Sequence, residues 1–101
     1  MKLTEVQKKE DCFDGSSIFE YFFDGEAREG WVREVAGGGR LYLYPDFPRP
    51  FYKIMMPDGV QVKGILGDRT LEAVFPQTGK EAIKAAFEKK LRRSMEERES
   101  A

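Results

Sequence analysis

The fold is decided by residues 51–75, FYKIMMPDGVQVKGILGDRTLEAVF, in which two turn signals separate three short strand-like segments. The turns are Pro57-Asp58-Gly59 and Gly67-Asp68-Arg69, because glycine readily adopts the positive φ that many tight turns require. Between them, Val60-Gln61-Val62-Lys63 alternates apolar and polar residues, which is the period of a strand with one buried face. This stretch therefore predicts a meander of three strands at 51–56, 60–63 and 70–75.

A hairpin is predicted upstream of this meander. Asp24-Gly25 follows the aromatic run at 18–23, and an Asp-Gly pair between two apolar segments is a good hairpin signal. The returning strand is expected at 30–35, GWVREV. The run at 18–23 does not alternate, so its pattern assigns no side chain to either face of the sheet.

Glycine and proline interrupt the chain on both sides of the next strand. Gly37-Gly38-Gly39 precedes Arg40-Leu41-Tyr42-Leu43-Tyr44, whose period of two predicts the leucines on one face and the tyrosines on the other. Pro45-Asp46-Phe47-Pro48-Arg49-Pro50 follows, and its three prolines exclude a central strand because proline lacks the ladder N–H. We expect this segment to cross the surface in an extended form, with Phe47 either tucked onto the core or displayed to a partner.

Helix chemistry begins after Pro76. Thr78-Gly79-Lys80-Glu81 matches the capping box, in which a hydroxyl and a glutamate three residues later satisfy free N–H groups at the start of a helix. Apolar residues then follow at helical spacing: Ala82, Ile83, Ala86, Phe87, Leu91 and Met95. This stripe predicts a helix that packs across the sheet, the alternative being a helix that leaves the domain to pair with another chain. The stripe thins after Leu91, so we expect the last turn or two to fray.

These segments predict one α+β domain, which the length of 101 residues fits. Residues 1–12 are expected to form a flexible arm or an edge strand, 13–76 an antiparallel β meander, and 77–101 the C-terminal helix packed on the same domain. The sheet is expected to have five or six mainly antiparallel strands and to be bent, or to close into a small, partly open barrel. The expected core is Phe19, Trp31, Leu41, Leu43, Ile54, Val60, Val62, Leu71, Val74, Ile83 and Phe87.

Histidine is absent from the chain, and Cys12 is its one cysteine. These counts exclude Ser-His-Asp and Cys-His catalysis, histidine-ligated metals, an internal disulfide and cysteine-cluster metal sites. The Walker and GxGxxG phosphate-binding motifs and the EF-hand pattern are also missing. We therefore predict that the protein is not an enzyme and has no catalytic residue, no metal and no cofactor.

The expected location is the cytoplasm. A lone thiol fits a reducing compartment, and residues 1–10 contain no apolar segment of the kind that marks a secretory signal. No run of about 18 apolar residues is present to span a membrane. Seventeen basic and 18 acidic residues leave a net charge of -1, so no large net charge attracts nucleic acid or an anionic membrane.

Aromatic and basic residues between 40 and 53 form the strongest candidate for a binding surface. They lie on adjacent predicted strands and the loop that joins them: Arg40, Tyr42, Tyr44, Phe47, Arg49, Tyr52 and Lys53. An extended, proline-rich segment binds at a small entropic cost, and arginine makes directional contacts with carboxylates or phosphates. We therefore predict a small non-enzymatic binding or adaptor module that acts through protein–protein contacts, with another protein or a second copy of the chain as partner. The alternative is a small β-barrel that binds single-stranded nucleic acid by stacking bases on the tyrosines.

Overall fold

The computed structural model describes residues 1–100, with side chains through residue 96. Over this range the chain forms one six-stranded sheet and two helices. In chain order the elements are β1 (Leu3–Asp11), β2 (Ser17–Phe23), α1 (Glu29–Ala36), β3 (Arg40–Tyr44), β4 (Phe51–Met55), β5 (Gln61–Ile65), β6 (Thr70–Phe75) and α2 (Lys80–Ser100).

The strands form one open antiparallel sheet in the order β1-β2-β6-β5-β4-β3. This confirms the predicted α+β class, with an open sheet and not a barrel. The turn signals at 57–59 and 67–69 fall between β4 and β5 and between β5 and β6, as the meander requires. β2 pairs with β6, although the two strands are far apart in the chain. The strand order leaves β1 and β3 as the two edges of the sheet.

The returning strand predicted at 30–35 is wrong, because this segment lies in helix α1. The buried residues of α1 are Trp31, Val32, Val35 and Ala36. Two adjacent residues followed by two more at the next turn lie on one face of a helix, whereas on a strand they would point to both faces. The burial that the structure shows in this segment therefore fits a helix and not a strand.

Asp24-Gly25 does not form the predicted hairpin turn. The Asp24 carboxylate accepts a hydrogen bond from the Lys2 backbone N–H at 2.6 Å, and the Asp24 N–H donates to the Lys2 carbonyl oxygen at 3.1 Å. These bonds tie the end of β2 to the start of β1. The chain then passes through α1 to β3 at the opposite edge of the sheet.

Helix α2 begins at Lys80, one residue later than a cap at Thr78 predicts. The Ile83 N–H donates to the Gly79 carbonyl oxygen at 2.9 Å, which makes Gly79 the N-cap residue. Gly79 has a φ of 72°, a left-handed conformation that glycine adopts without steric cost. Thr78 therefore precedes the N-cap residue. The capping-box motif correctly predicted a helix here, but it placed the first helical residue one position too early.

The far end of α2 packs on the domain. Ser94 and Met95 are buried, so the packed stripe continues past Leu91. The Trp31 indole Nε1 donates a hydrogen bond to Ser94 Oγ at 2.9 Å, which joins α1 to α2. The fraying predicted for the last turn or two falls mainly on residues 97–101, which lie outside the residues whose side chains the structure describes.

Both helices pack on one face of the sheet, and the core lies between the two layers. Of the expected core, six residues are buried: Trp31, Ile54, Val60, Val62, Leu71 and Phe87. Four more are partly buried at its border: Phe19, Leu41, Leu43 and Ile83. Val74 is wrong as a core residue, because Ala73 and Phe75 take the buried positions of β6 and the alternation of the strand turns Val74 to the other face.

Two buried tyrosines make the stability of the fold depend on pH. The Tyr21 hydroxyl donates a hydrogen bond to Glu88 Oε2 at 2.8 Å. Burial, followed by this bond to a carboxylate, raises the pKa of Tyr21 well above its ordinary value. Burial also raises the pKa of Tyr52, with a smaller contribution from the negative charge of Asp68. Folding therefore holds both phenols in their neutral form.

These raised pKa values predict a loss of stability in alkali. An unfolded tyrosine ionises near about pH 10, so above that pH the unfolded chain binds fewer protons than the folded chain. The stabilisation is fully present below about pH 10 and decreases as the pH rises above it. We expect the urea midpoint of unfolding to fall over this range, as followed by circular dichroism. A midpoint that stays constant between about pH 9 and pH 12 would contradict this prediction.

Candidate functional site

The face of the sheet opposite the helices, called here the open face, is the candidate site. Strand register arranges its side chains in three transverse rows. The first row is Arg40, Met55, Gln61, Val74, Ile18 and Glu10. The middle row is Tyr42, Lys53, Lys63, Glu72, Glu20 and Gln7. The third row contains Tyr44, Phe51 and Ile65 on one side and Thr70, Phe22 and Glu5 on the other.

The middle row separates its charges by sign. Lys53 of β4 lies directly opposite Lys63 of β5, and Glu72 of β6 lies directly opposite Glu20 of β2. Like charges directly opposite each other on neighbouring strands are destabilising. Among residues 1–96, Glu72 forms an ion pair with Lys9 of β1, whereas Lys53, Lys63 and Glu20 form none within 4.0 Å. The open face therefore carries a basic half and an acidic half.

Three aromatic rings pack on one another at the β3 side of the open face. The Tyr44 and Phe51 rings stack with their centroids 4.4 Å apart, and the Phe47 ring lies 5.2 Å from that of Phe51. Phe47 remains 54% exposed. Phe47 is therefore not tucked onto the core, because its ring packs on Tyr44 and Phe51 on the open face.

Four of the predicted surface residues lie with Phe47 along the β3 side of the open face, and we call the group the β3 corner. It consists of Arg40, Tyr42, Tyr44, Phe47 and Lys53. Phe47 packs at the Tyr44 end of β3, and Arg40 lies at the other end. Arg49 lies beside the β3 corner, where its guanidinium Nη2 is 3.2 Å from Asp68 Oδ1. This ion pair connects the 45–50 loop to the turn before β6.

Tyr52 does not belong to this surface. It is 1% exposed and lies in the core. Its neighbours Phe51 and Lys53 point to the open face, and the alternation of a strand places Tyr52 on the opposite one. Tyr52 is paired with Gly64 of β5, whose missing side chain leaves room for the phenol ring. The Tyr52 hydroxyl has no hydrogen-bond partner among the described residues.

A groove of about 450 Å³ occupies the centre of the open face. Its lining includes Lys53, Lys63, Ile65, Thr70, Glu72 and Glu20. Glu72 and Glu20 were missed as site residues, whereas the alternation of Val60-Gln61-Val62-Lys63 already placed Lys63 opposite the core. Their assembly into one row depends on the register of β2, β6 and β5, which no local pattern specifies.

The two edge strands differ in their protection against pairing with another chain. β1 has two register shifts against β2, between Leu3 and Glu5 and between Lys8 and Glu10, and it carries charges along its length. Bulges and charges are common devices that block edge-to-edge association. β3 pairs with β4 in unbroken register over all five residues, and Arg40 is its one charged residue. The β3 edge is therefore the less protected of the two.

Several chemistries find no support in the part of the chain that the structure describes. Residues 1–96 contain no group of three or more acidic or cysteine side chains arranged to hold a metal ion. Neither described helix is both long and apolar enough to cross a membrane. Comparisons with protein-family models, with curated proteins and with solved structures each found no match.

Proposed function

We propose that this protein is a small non-enzymatic adaptor module that captures an extended segment of another protein along β3. The observation that carries the proposal is the less protected β3 edge beside an exposed aromatic cluster. An edge strand offers unpaired backbone N–H and C=O groups, and a partner strand that pairs with them gains affinity from main-chain hydrogen bonds. A cytoplasmic location is part of the proposal, because Cys12 has no second cysteine with which to form a disulfide.

The β3 corner indicates the chemistry of the captured segment. A strand added beside β3 would place every second side chain on the open face, next to Tyr42 and Tyr44. Both tyrosines are exposed, and Phe47 extends the apolar surface that they offer. Arg40 and Lys53 supply positive charge at the same corner. The best match is an extended segment in which apolar or aromatic residues share one face with acidic residues.

Phe47→Ala is the sharpest test of this proposal, with Phe13→Ala as its matched control. Both phenylalanines are exposed, but Phe13 lies in the connection between β1 and β2, away from β3. We would select binders from a displayed library of random peptides and measure their affinity by fluorescence polarisation. Truncating an aromatic anchor is expected to weaken binding by about tenfold or more. Phe13→Ala is expected to bind as the wild type does.

Amide hydrogen exchange provides a second readout. The β3 N–H groups that do not pair with β4 are expected to gain protection when the peptide binds, because the added strand accepts their hydrogen bonds. Exchange in β1 should stay the same. The proposal is wrong if no selected peptide depends on Phe47, or if bound peptide protects β1 and leaves β3 unchanged.

Single-stranded nucleic acid is the second candidate, and the basic half of the open face favours it. Tyr42 and Tyr44 are exposed beside Lys53 and Lys63, and stacked bases commonly rest on aromatic rings flanked by cations. This function predicts quenching of tyrosine fluorescence by oligonucleotides and an affinity that falls steeply with salt. An absence of quenching at low salt excludes it. The net charge of -1 favours the protein-binding function instead.

A further inference from the structure

The middle row of the open face reads Lys53, Lys63, Glu72, Glu20 across β4, β5, β6 and β2, and Lys9 of β1 pairs with Glu72 at its acidic end. Reversing this order exchanges the signs of the charges. A row with this property is complementary to its own reversed copy, which is what a two-fold symmetric interface requires. Two sheets that pack face to face bring their inner faces about 10 Å apart, so their side chains meet.

We propose that the open face packs against the open face of a second copy of this chain. The two-fold axis runs parallel to the strands and passes between Lys63 and Glu72. The proposed dimer interface lies on the open face and includes Tyr42, Tyr44 and Lys53 of the β3 corner, whereas strand capture uses the backbone groups of the β3 edge. The dimer goes beyond the adaptor function, and the oligomeric state tests it separately from peptide binding. The paired sheets would form the inner layers of an assembly with helices on both outer sides.

The charges of the middle row favour a two-fold axis parallel to the strands over an axis that runs across the strands. Rotation about an axis parallel to the strands reverses the strand order, which sets Lys63 against Glu72 of the second copy and Lys53 against Glu20. Rotation about an axis that runs across the strands keeps their order and sets each lysine against a lysine. Like-charge contacts at an interface are strongly unfavourable. The first arrangement is therefore the one that the row permits.

The rows on either side of the charges support the same partner. The open face carries partly buried apolar residues in both: Ile18, Phe22, Phe51, Met55, Ile65 and Val74. The proposed rotation leaves each row opposite its own copy. Met55 then meets Ile18 and Phe51 meets Phe22 of the second copy. Near the axis, Val74 meets Gln61 and Ile65 meets Thr70. Packing sheet on sheet removes such residues from water. The backbone groups of the β3 edge lie in the plane of the sheet and stay free in this arrangement.

The proposed interface is of modest size. Five inter-strand spacings and five residues along each strand give a face of about 24 Å by 17 Å. This flat area of about 400 Å² per copy is smaller than the about 800 Å² per partner that standard specific interfaces bury, and it corresponds to weak association. Dimerisation should therefore depend on concentration, and sedimentation equilibrium from about 5 to 500 μM covers the range of weak association.

Single charge reversals in the row test the proposal. Lys63→Glu sets a glutamate against Glu72 of the second copy, and Glu72→Lys sets a lysine against Lys63. Each variant alone is expected to sediment at the 11.6 kDa of one chain, whereas the wild type reaches twice that mass. An equimolar mixture of the two variants is expected to recover the dimer, because every facing pair then has opposite signs. The double variant K63E/E72K is expected to dimerise for the same reason.

Lys89→Glu is the matched control. Lys89 is exposed on α2, on the other side of the molecule, and the substitution changes the net charge as Lys63→Glu does. It should leave the dimer intact. A wild type that stays monomeric over the whole concentration range overturns the proposal. So do single variants that still dimerise, or a mixture and a double variant that stay monomeric while circular dichroism shows them folded.

Discussion

Trp31→Ala is expected to lower the free energy of unfolding by about 3–5 kcal/mol, which is a large fraction of the stability of a domain this size. Trp31 is 1% exposed between the sheet and α2. Its ring meets that of Phe23 edge-to-face, with the centroids 5.1 Å apart, and its Nε1 donates to Ser94 Oγ. The substitution removes the ring, leaves a cavity and separates α1 from both neighbours. Urea unfolding followed by circular dichroism measures the loss.

Two milder variants separate the ring from its hydrogen bond. Trp31→Phe keeps an aromatic ring and loses the donor, so it should cost less than Trp31→Ala. Ser94→Ala keeps the ring and leaves its buried N–H without this partner, which costs about 1–3 kcal/mol. The order of loss is expected to be Trp31→Ala first, with both milder variants well behind. A Trp31→Ala variant within about 1 kcal/mol of the wild type would contradict the assigned packing.

Gly64→Ala is expected to destabilise the fold by about 1–3 kcal/mol, although alanine is a conservative replacement elsewhere. A Cβ at this position would lie closer than 3.0 Å to three atoms of the Tyr52 side chain. Tyr52 is surrounded by core and cannot move away freely, because packed interiors contain few voids. The cost is steric and not conformational, since Gly64 is not among the glycines with a positive φ.

A matched glycine and a double variant test this explanation. A Cβ at Gly38 meets no atom within 4 Å, so Gly38→Ala should leave the urea midpoint nearly unchanged. Tyr52→Phe removes the nearest of the clashing atoms together with a buried hydroxyl that has no partner. Gly64→Ala should therefore cost less in the Tyr52→Phe background than in the wild type. Equal costs in both backgrounds would place the strain elsewhere.

Some parts of the candidate site were predicted by the sequence, and other parts were revealed only by the tertiary structure. Alternation in Arg40-Leu41-Tyr42-Leu43-Tyr44 predicted exposed tyrosines, and the structure places both on the open face. The same rule applied to Phe51-Tyr52-Lys53 would have excluded Tyr52 from a surface that contains Lys53. No local pattern of this kind predicted the charges of the middle row. Lys63 and Glu20 are distant in the chain, and only the pairing of β5, β6 and β2 aligns them.

Two features of the fold were determined by the sequence alone. The glycine turns at 57–59 and 67–69 determined the meander of β4, β5 and β6, because turn preferences act over a few residues. The apolar stripe of 82–95 determined that a helix follows the sheet, because helical period is also a local property. The histidine count excluded whole classes of catalysis without reference to any fold.

Only the tertiary structure decided that 30–35 is a helix, that β2 lies beside β6, and that the open face has a basic and an acidic half. Trp31 and Val32 fit a short strand as well as a short helix when the segment is taken alone, since eight residues are too few for period to distinguish them reliably. Contact with Phe23 on one side and Ser94 on the other selects the helix. The physical reason is common to all three features: the free energy that decides them comes from contacts between distant parts of the chain, and local preference does not contain it.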